Sequence, residues 1–286
     1  MRKFTILFYL VLILIIANVF VFLNAQAVGD NNLLVVSFLD IGQGDAIYIK
    51  APNGVDMLID GGKKDSDILT ELGRVMSVTD KEIDIVLATH PDADHIGGLT
   101  KVLENYNVKH IVTNGRSKDT GVFKLLNDDI KNENASTTIA ERGQRIILDK
   151  DKNIYFDIYW PIKIYQSDDT NDLSILGKLV YGESEFLLTG DAGKEIENQI
   201  IKWCKLCLDS DVLKLGHHGS RTSTSRTFLD NVAPDYAIVS AGANNSYGHP
   251  HKEIVDLVQM QNINILETSK EGTITFVSDG IKYGLK

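Results

Sequence analysis

Thr89-His90-Pro91-Asp92-Ala93-Asp94-His95-Ile96-Gly97-Gly98 follows directly on the apolar run Ile83-Asp84-Ile85-Val86-Leu87-Ala88. A short apolar run closed by proline reads as a buried strand ending in a tight loop. His90, Asp92, Asp94 and His95 are therefore expected together at a strand tip. Neutral imidazole and carboxylate are the usual donors to Zn²⁺, Mn²⁺ and iron, and closely spaced carboxylates suit two cations better than one. A merely solvated turn has no need of so many ligand-forming side chains in so few positions. Behind them, Gly97-Gly98 lets backbone pass close by, and residues 99–106 have helical spacing.

Toward the N-terminus, residues 33–39 read as a buried strand that runs into Asp40-Ile41-Gly42-Gln43-Gly44-Asp45, where the glycines permit a sharp turn with close backbone approach. Residues 46–50 and 56–59 read as strands joined by the turn-forming Pro52-Asn53-Gly54. The second ends in Asp60-Gly61-Gly62, and a carboxylate there is placed to hydrogen-bond a ligand imidazole and fix its tautomer. Residues 67–76 look helical. Downstream, a strand over 109–113 precedes a polar region, 114–138, with a helix over 121–130. Strand patterning resumes over 146–148 and 154–160, followed by a polar turn at 167–172 and a strand over 173–181.

Three later segments repeat the first arrangement. Residues 185–189 lead to Gly190-Asp191-Ala192-Gly193, residues 211–215 to Gly216-His217-His218-Gly219-Ser220, and residues 236–240 to Asn244-Asn245-Ser246-Tyr247-Gly248-His249-Pro250-His251. Strand tips of layered sheets meet along one edge, where open sheets place their binding sites.

With 286 residues, 43% of them hydrophobic, the chain has ample material for a core, and no repeat or Pro-rich linker divides it. It reads as one catalytic domain over 33–286. The formal charge of −10 argues against broad, charge-driven coating of nucleic acid, although bound divalent cations reverse the field at a site. At the start, Arg2 and Lys3 precede an apolar run over 4–23, interrupted only by Thr5 and Asn18, and Ala25-Gln26-Ala27 then offers a small-residue cleavage pattern. Residues 1–27 are expected to be a signal peptide or an N-terminal membrane anchor, since the run is long enough to span a bilayer if left uncut. The domain is thereby expected outside the cytoplasm, secreted or anchored through residues 4–23. Cys204 and Cys207 share a face of a helical pattern over 192–208, so packing or a local disulfide is favoured over metal or redox chemistry.

The order His90-Pro-Asp92-Ala-Asp94-His95, Thr189-Gly190-Asp191 and His217-His218-Gly219-Ser220 resembles the metallo-β-lactamase superfamily, and more closely its branch in ComEC-type DNA-uptake (competence) proteins. Residues 38–46 (FLDIGQGDA), Asn171-Asp172-Leu173-Ser174 and Tyr247-Gly248-His249-Pro250 are similar to that branch's other signatures, and the likeness runs from about residue 33 to the C-terminus. The resemblance implies an α/β (α+β) fold, the four-layer αβ/βα sandwich in which two β-sheets are flanked by helices. It also implies a hydrolytic site with two divalent metal ions, Zn²⁺ or Mn²⁺. Carried over residue by residue, His90 and Asp92 would hold one metal and Asp94 and His95 the other, with Asp191 bridging. His218, rather than His217, would complete the second site, leaving His217 to face phosphate or handle protons. Asp60, with Asp40 and Asn171, would support the ligands from behind. The superfamily commonly has histidine at the position of Asp92, and a further histidine where this chain offers only the Asn171 segment. Both exchanges put oxygen in place of imidazole, which loosens the first metal and admits Mn²⁺ beside Zn²⁺.

Two cations a few ångströms apart lower the pKa of a shared water and clamp the attacking and leaving oxygens of a phosphodiester. Asp94, His217 and Lys214 are the candidate catalytic groups, and Ser220, Asn245, Tyr247 and His249 the candidate donors to substrate. The expectation is an exported, divalent-metal-dependent hydrolase, a phosphodiesterase or nuclease whose partner is a phosphodiester, DNA foremost. Alternatives are hydrolysis of a lactone, a β-lactam or cell-wall phosphocholine, or a non-catalytic DNA-binding module. Neutral amides do not call for the Asn245-Tyr247-His249 donors, which favours phosphate; the acidic balance favours small or locally held substrates. No channel-forming segments are present, so transport by the chain itself is not expected.

Overall fold

The apolar run ahead of the ligand loop is a strand buried along most of its length, and its two faces feed two different cores. The computed structural model describes residues 12–14, 33–163 and 165–286. One sheet contains β1 (Leu34–Phe38), β2 (Ile47–Lys50), β3 (Asp56–Ile59), β4 (Glu82–Ala88), β5 (Asn107–Thr113), β6 (Ser136–Ile139), β14 (Ile274–Ser278) and β15 (Tyr283–Leu285). Its 8 strands lie in the order β15-β14-β1-β2-β3-β4-β5-β6. The other contains β7 (Arg145–Asp149), β8 (Ile154–Trp160), β9 (Leu176–Tyr181), β10 (Ser184–Leu188), β11 (Val212–Lys214), β12 (Tyr236–Val239) and β13 (Asn264–Glu267). Its 7 strands run β13-β12-β11-β10-β9-β8-β7.

Ile85 and Leu87 of β4 enter the core between the sheets with Phe38, Phe156, Phe186 and Phe276. There the Phe276 ring meets Phe38 and Phe186 edge-on at 6.2 and 6.0 Å. Val86 and Ala88 point the other way, toward α1 (Ile68–Val75), α2 (Ala93–Ile96), α3 (Leu99–Asn105) and α4 (Gly121–Asn132), through Leu72, Leu99 and Leu126. The second sheet is covered likewise by α5 (Lys194–Cys204), α6 (Arg226–Val232) and α7 (Lys252–Met260), through Ile196, Leu229 and Val258. A short α8 (Thr268–Glu271) leads from β13 toward β14. This is the four-layer metallo-β-lactamase-like sandwich. Strands buried on both faces need near-continuous apolar sequence, and β4 has it.

Strands β3 to β6 run parallel, as do β10 to β13. Their carboxyl ends deliver Asp60 after β3, His90 after β4, Asp191 after β10, His217 and His218 after β11, and Ser240 after β12.

Some boundaries differ from the sequence reading. The loop after Pro91 contains the one-turn helix α2. The strand expected over 173–181 starts only at Leu176, because Asn171–Leu173 form a 3₁₀ turn. Strand β6 arises within and beyond the region read as polar; it is a short, mostly exposed edge strand, so no alternation marks it. The helix expected over 192–208 ends at Cys204, a 3₁₀ turn follows, and Cys204 and Cys207 form a disulfide. The leader, apart from residues 12–14, lies outside the described residues. Among the described residues no helix is long and apolar enough to cross a membrane.

Candidate metal centre

Three buried imidazoles are turned the same way by their neighbours. The Nδ1–H of His218 donates to the Ser240 carbonyl at 2.9 Å, and a carbonyl only accepts, so Nε2 carries the lone pair. His95 donates from Nδ1 to Asp60 Oδ2 at 2.8 Å, with the same result. Thr89 gives its hydroxyl proton to Asp60 Oδ2 at 2.6 Å, which leaves its oxygen to accept from His90 Nδ1 at 3.0 Å. The Nε2 atoms of His90, His95 and His218 are buried without a hydrogen-bond partner. All three face one carboxylate: Asp191 Oδ2 lies 4.0, 3.3 and 3.5 Å from them respectively. Buried polar atoms are nearly always satisfied. Imidazole nitrogens converging on an anionic oxygen, with no other hydrogen-bond partner, fit a cation.

The backbone holds these groups at some cost. Asp60, His217 and His218 have φ of 58°, 48° and 56°, left-handed conformations worth about 1–3 kcal/mol each for residues other than glycine. Gly44, at φ 122°, admits nothing larger, since a Cβ there would stand 1.9 Å from the Asp94 carbonyl oxygen. Three of the seven left-handed non-glycine residues among the described residues thus stand at these strand tips.

The expected ligands do not all stand alike. Asp94 Oδ2 is 3.5 Å from His218 Nε2. Asp92 is looser: its Oδ1 is 4.0 Å from His90 Nε2 and accepts from Lys118 Nζ at 2.7 Å and from Thr170 Oγ1. The His90–Asp92 side is thus less closed than the His95–Asp191–His218 side. Lys118→Met is expected to tighten Mn²⁺ binding roughly fivefold by freeing Asp92, the scale of a partly exposed ion pair. Calorimetric titration showing unchanged or weaker binding would rule out competition by the ammonium.

His217 is partly exposed; its Nδ1 lies 3.1 Å from Thr222 Oγ1 and its Nε2 3.8 Å from Asp191 Oδ2. The cleft in front, about 130 Å³, is walled by Asp92, Asp94, Asp191, His217 and His218. Gln43, Asn171, Tyr247 and His249 complete it.

Three expected roles need correction. Lys214 is fully buried, its ammonium ion-paired with Asp45 at 2.9 Å and donating to the Leu215 carbonyl at 3.0 Å, so it cannot reach a substrate in this cleft. Ser220 is buried with its hydroxyl accepting from Thr222, closing the turn that carries His217. Asn245 spends its carboxamide on its own loop: Nδ2 donates to the carbonyls of Gly242 and His249, and Oδ1 accepts from the N–H groups of Tyr247 and His249. It holds His249 rather than a ligand. Asp40 is tied by its backbone N–H to Thr273 Oγ1. At the other end of the same turn it is Asp45 that stands by His218, 3.3 Å from Nδ1. Asp45 falls in one group with His95, Asp191 and His218, ligand atoms within 4.8 Å of one another. Because it faces the Nδ1 side of His218, it supports that ring from behind.

Sequence reasoning also passed over Ser174. Its hydroxyl accepts from the Asp191 N–H at 3.1 Å and lies 3.2 Å from His90 Nδ1, joining the two sheets' tips. Its place directly after the Asn171 turn was the available signal.

Burial alone drives the His90, His95 and His218 imidazoles toward the neutral form; neighbours decide the outcome. For His218 burial is opposed by Asp191, Asp45 and Asp94, which push it up to about 9. For His95 burial is outweighed by Asp191 and Asp60, which lift it well above its ordinary value. His90, where burial is reinforced by the His95 charge, falls to about 4. Asp94 and Asp191 resist burial through the surrounding imidazoles and lie well below the usual carboxylate range. Without metal, then, protons occupy part of the space a cation would take. The raised His218 stabilises the folded state fully below pH about 6.5, and that contribution fades as pH rises through about 9. The depressed His90 contributes above pH about 6.5 and is lost as pH falls toward 4. In chelator, thermal stability is expected to peak near pH 6.5 and to decline by on the order of 3 kcal/mol by pH 9. Saturating Mn²⁺ is expected to remove the alkaline decline, because it replaces those protons. A melting temperature in chelator that stays level from pH 6.5 to 9 would refute this.

Comparison with known proteins places this geometry. The metallo-beta-lactamase superfamily profile matches residues 39–243. The chain is 31% identical over 261 residues to ComE operon protein 3 of Bacillus subtilis (strain 168), covering 84% of this chain and 32% of that protein. It is 29% identical over 260 residues to Competence protein ComA of Neisseria gonorrhoeae, covering 90% and 34%. The chain therefore spans about a third of the length of these curated relatives. Among solved structures, the metallo-beta-lactamase fold protein YhfI from Bacillus subtilis has a TM-score of 0.56 at 11% identity, covering 86% of this chain and 100% of that one. Igni18, a metallo hydrolase from Ignicoccus hospitalis, has a TM-score of 0.54 at 15% identity, covering 84% and 98%. At such identities the likeness is one of fold.

Proposed function

The chain belongs to the metallo-beta-lactamase superfamily of metal-dependent hydrolases, and from that premise we propose that it is a phosphodiesterase that cleaves DNA outside the cytoplasm with two divalent cations. The observation that carries this reading is the set of bare, buried Nε2 atoms of His90, His95 and His218 around Asp191 Oδ2. His90, Asp92 and Asp191 would hold one cation, and Asp94, His95, His218 and Asp191 the other. When bound, such ions supply Lewis acidity and an acidified water to a phosphoryl centre.

The rest is done by the chain. Thr222 Oγ1 donates to Ser220 Oγ and so accepts from His217 Nδ1, leaving His217 Nε2 toward the cleft as a proton acceptor, or as a donor to the departing oxygen once charged. Burial, followed by the charges of His218, His217 and His251, holds His249 down at about 4, so it presents a neutral ring to the substrate. Tyr247 is 57% exposed and stacks on His249 at 5.6 Å, offering a free face at the mouth of the cleft. A nucleobase stacks on such a face regardless of its sequence. The competence relatives favour DNA as the phosphodiester. The basic and apolar leader over residues 1–27 favours export, either free or anchored through residues 4–23.

Purified protein loaded with Mn²⁺ or Zn²⁺ is expected to hydrolyse bis-(p-nitrophenyl) phosphate and single-stranded DNA. Efficient turnover of nitrocefin or a lactone with phosphodiesters untouched would exclude the phosphodiesterase. DNA binding without cleavage under either metal would make the chain a binding module.

A further inference from the structure

Among the buried polar atoms without a partner around the cleft, the Gln43 amide nitrogen is the one that cannot ligate a cation. Gln43 is 7% exposed, lines the cleft, and has an unpartnered Nε2. The direction of its amide is fixed by the Gly242 N–H, which donates to Oε1 at 3.3 Å. The NH₂ group is thereby left over, two donors with no lone pair to give. Its neighbours Asp94, Asp191 and His218 in the cleft are carboxylates and an imidazole suited to a metal. A buried donor left unmade costs about 1–3 kcal/mol, so it is retained where an acceptor arrives from outside.

The backbone holds Gln43 in place from both sides. Gly42 and Gly44 have φ of 77° and 122°, and Gly44 lies so close to the Asp94 carbonyl that no side chain fits there. The next residue, Asp45, donates its N–H to that same carbonyl at 3.3 Å. A Cβ on Gly242 would come within 3.1 Å of the Gln43 backbone nitrogen, so the loop after β12 rests against this residue. The side chain is therefore fixed relative to both Asp94 and the Tyr247–His249 loop before any substrate binds.

We propose that Gln43 is a substrate-contacting residue whose amide N–H groups hold a non-bridging oxygen of the phosphoryl group in the metal cleft. This rests on the phosphodiesterase reading and adds the residue that distinguishes phosphoryl oxygen from the cations beside it. A neutral donor suits the position, because a lysine or arginine there would pair with Asp94 or Asp191 instead.

The test compares wild type with Gln43→Met, which keeps length but removes both the donors and the acceptor of the Gly242 N–H, and with Gln43→Glu, which keeps an acceptor and replaces the donors by a repelling charge. Gln43→Met is expected to lower kcat/KM on a phosphodiester roughly 10²- to 10³-fold, the scale for one preorganised donor, with Mn²⁺ stoichiometry unchanged. Gln43→Glu is expected to fall further. With a phosphorothioate diester, one diastereomer is expected to slow wild type but to carry no added penalty in Gln43→Met. Equal kcat/KM in wild type and Gln43→Met, or an identical sulfur penalty in both, overturns the proposal. If wild type cleaves no phosphodiester, the phosphodiesterase reading falls by itself. Calorimetry with inorganic phosphate on the Mn²⁺-loaded proteins then decides: weaker binding in Gln43→Met supports the donor role, and equal or absent binding in both overturns it.

Discussion

Asp191→Asn is expected to lower kcat/KM on a phosphodiester by a factor of about 10³ or more, and to cut bound divalent metal substantially. The substitution keeps the shape of the side chain and removes its charge. That charge is the common neighbour of four imidazoles, with Oδ2 at 3.3 Å from His95, 3.5 Å from His218, 3.8 Å from His217 and 4.0 Å from His90. No other carboxylate in the cleft touches both sides: Asp92 stands with His90, and Asp94 with His218. An amide oxygen still accepts hydrogen bonds but ligates a divalent cation far more weakly, and its nitrogen would confront bare Nε2 atoms. Metal analysis and turnover on the same preparation, with circular dichroism to confirm folding, read the outcome. Full metal content together with more than a tenth of wild-type activity in Asp191→Asn would mean that Asp191 does not join the two halves of the site.

What could be read ahead of the coordinates follows the range of the interactions involved. His90, Asp92, Asp94 and His95 are neighbours in the chain, and the apolar run before them sets them on a strand tip by local patterning alone. Asp191, His217 and His218 follow strands of their own, so their convergence needed only the rule that parallel strands end at one edge. Roles that depend on contacts between distant segments were not legible. Ser174 matters because it touches both Asp191 and His90. Asn245 looked like a donor to substrate because its type and loop suit one, yet its four hydrogen bonds close on its own backbone. Asp92 carries the right chemistry for a ligand, but Lys118 and Thr170, from elsewhere in the chain, already engage it. Gln43 gave no signal because glutamine in a glycine-rich turn is ordinary until its amide is seen buried and unpartnered.

Lys214 is the largest single departure, and it leads to the second strong expectation: Lys214→Met should destabilise the protein by about 3–5 kcal/mol, the cost of leaving one half of a buried pair. A lysine at the end of a strand near ligands invites a reading as a phosphate-binding cation, since lysines are almost never fully buried. Here its ammonium is inside, 2.9 Å from Asp45 and 3.0 Å from the Leu215 carbonyl. Burial by itself would raise Asp45, but Lys214 and then His218 bring it down to about 2, so the carboxylate stays charged in the interior. Removing the ammonium strands that charge beside His218 and pulls at the imidazole's bond to Ser240. Thermal denaturation in chelator is expected to show a fall of roughly 10 °C or more for a domain of this size. The double variant Lys214→Met with Asp45→Asn, which removes both charges, is expected to regain most of the loss, as buried pairs replaced together often do. A catalytic lysine would behave in the opposite way, with activity gone, melting temperature unchanged and no rescue by Asp45→Asn. That pattern would return Lys214 to the substrate's side of the cleft.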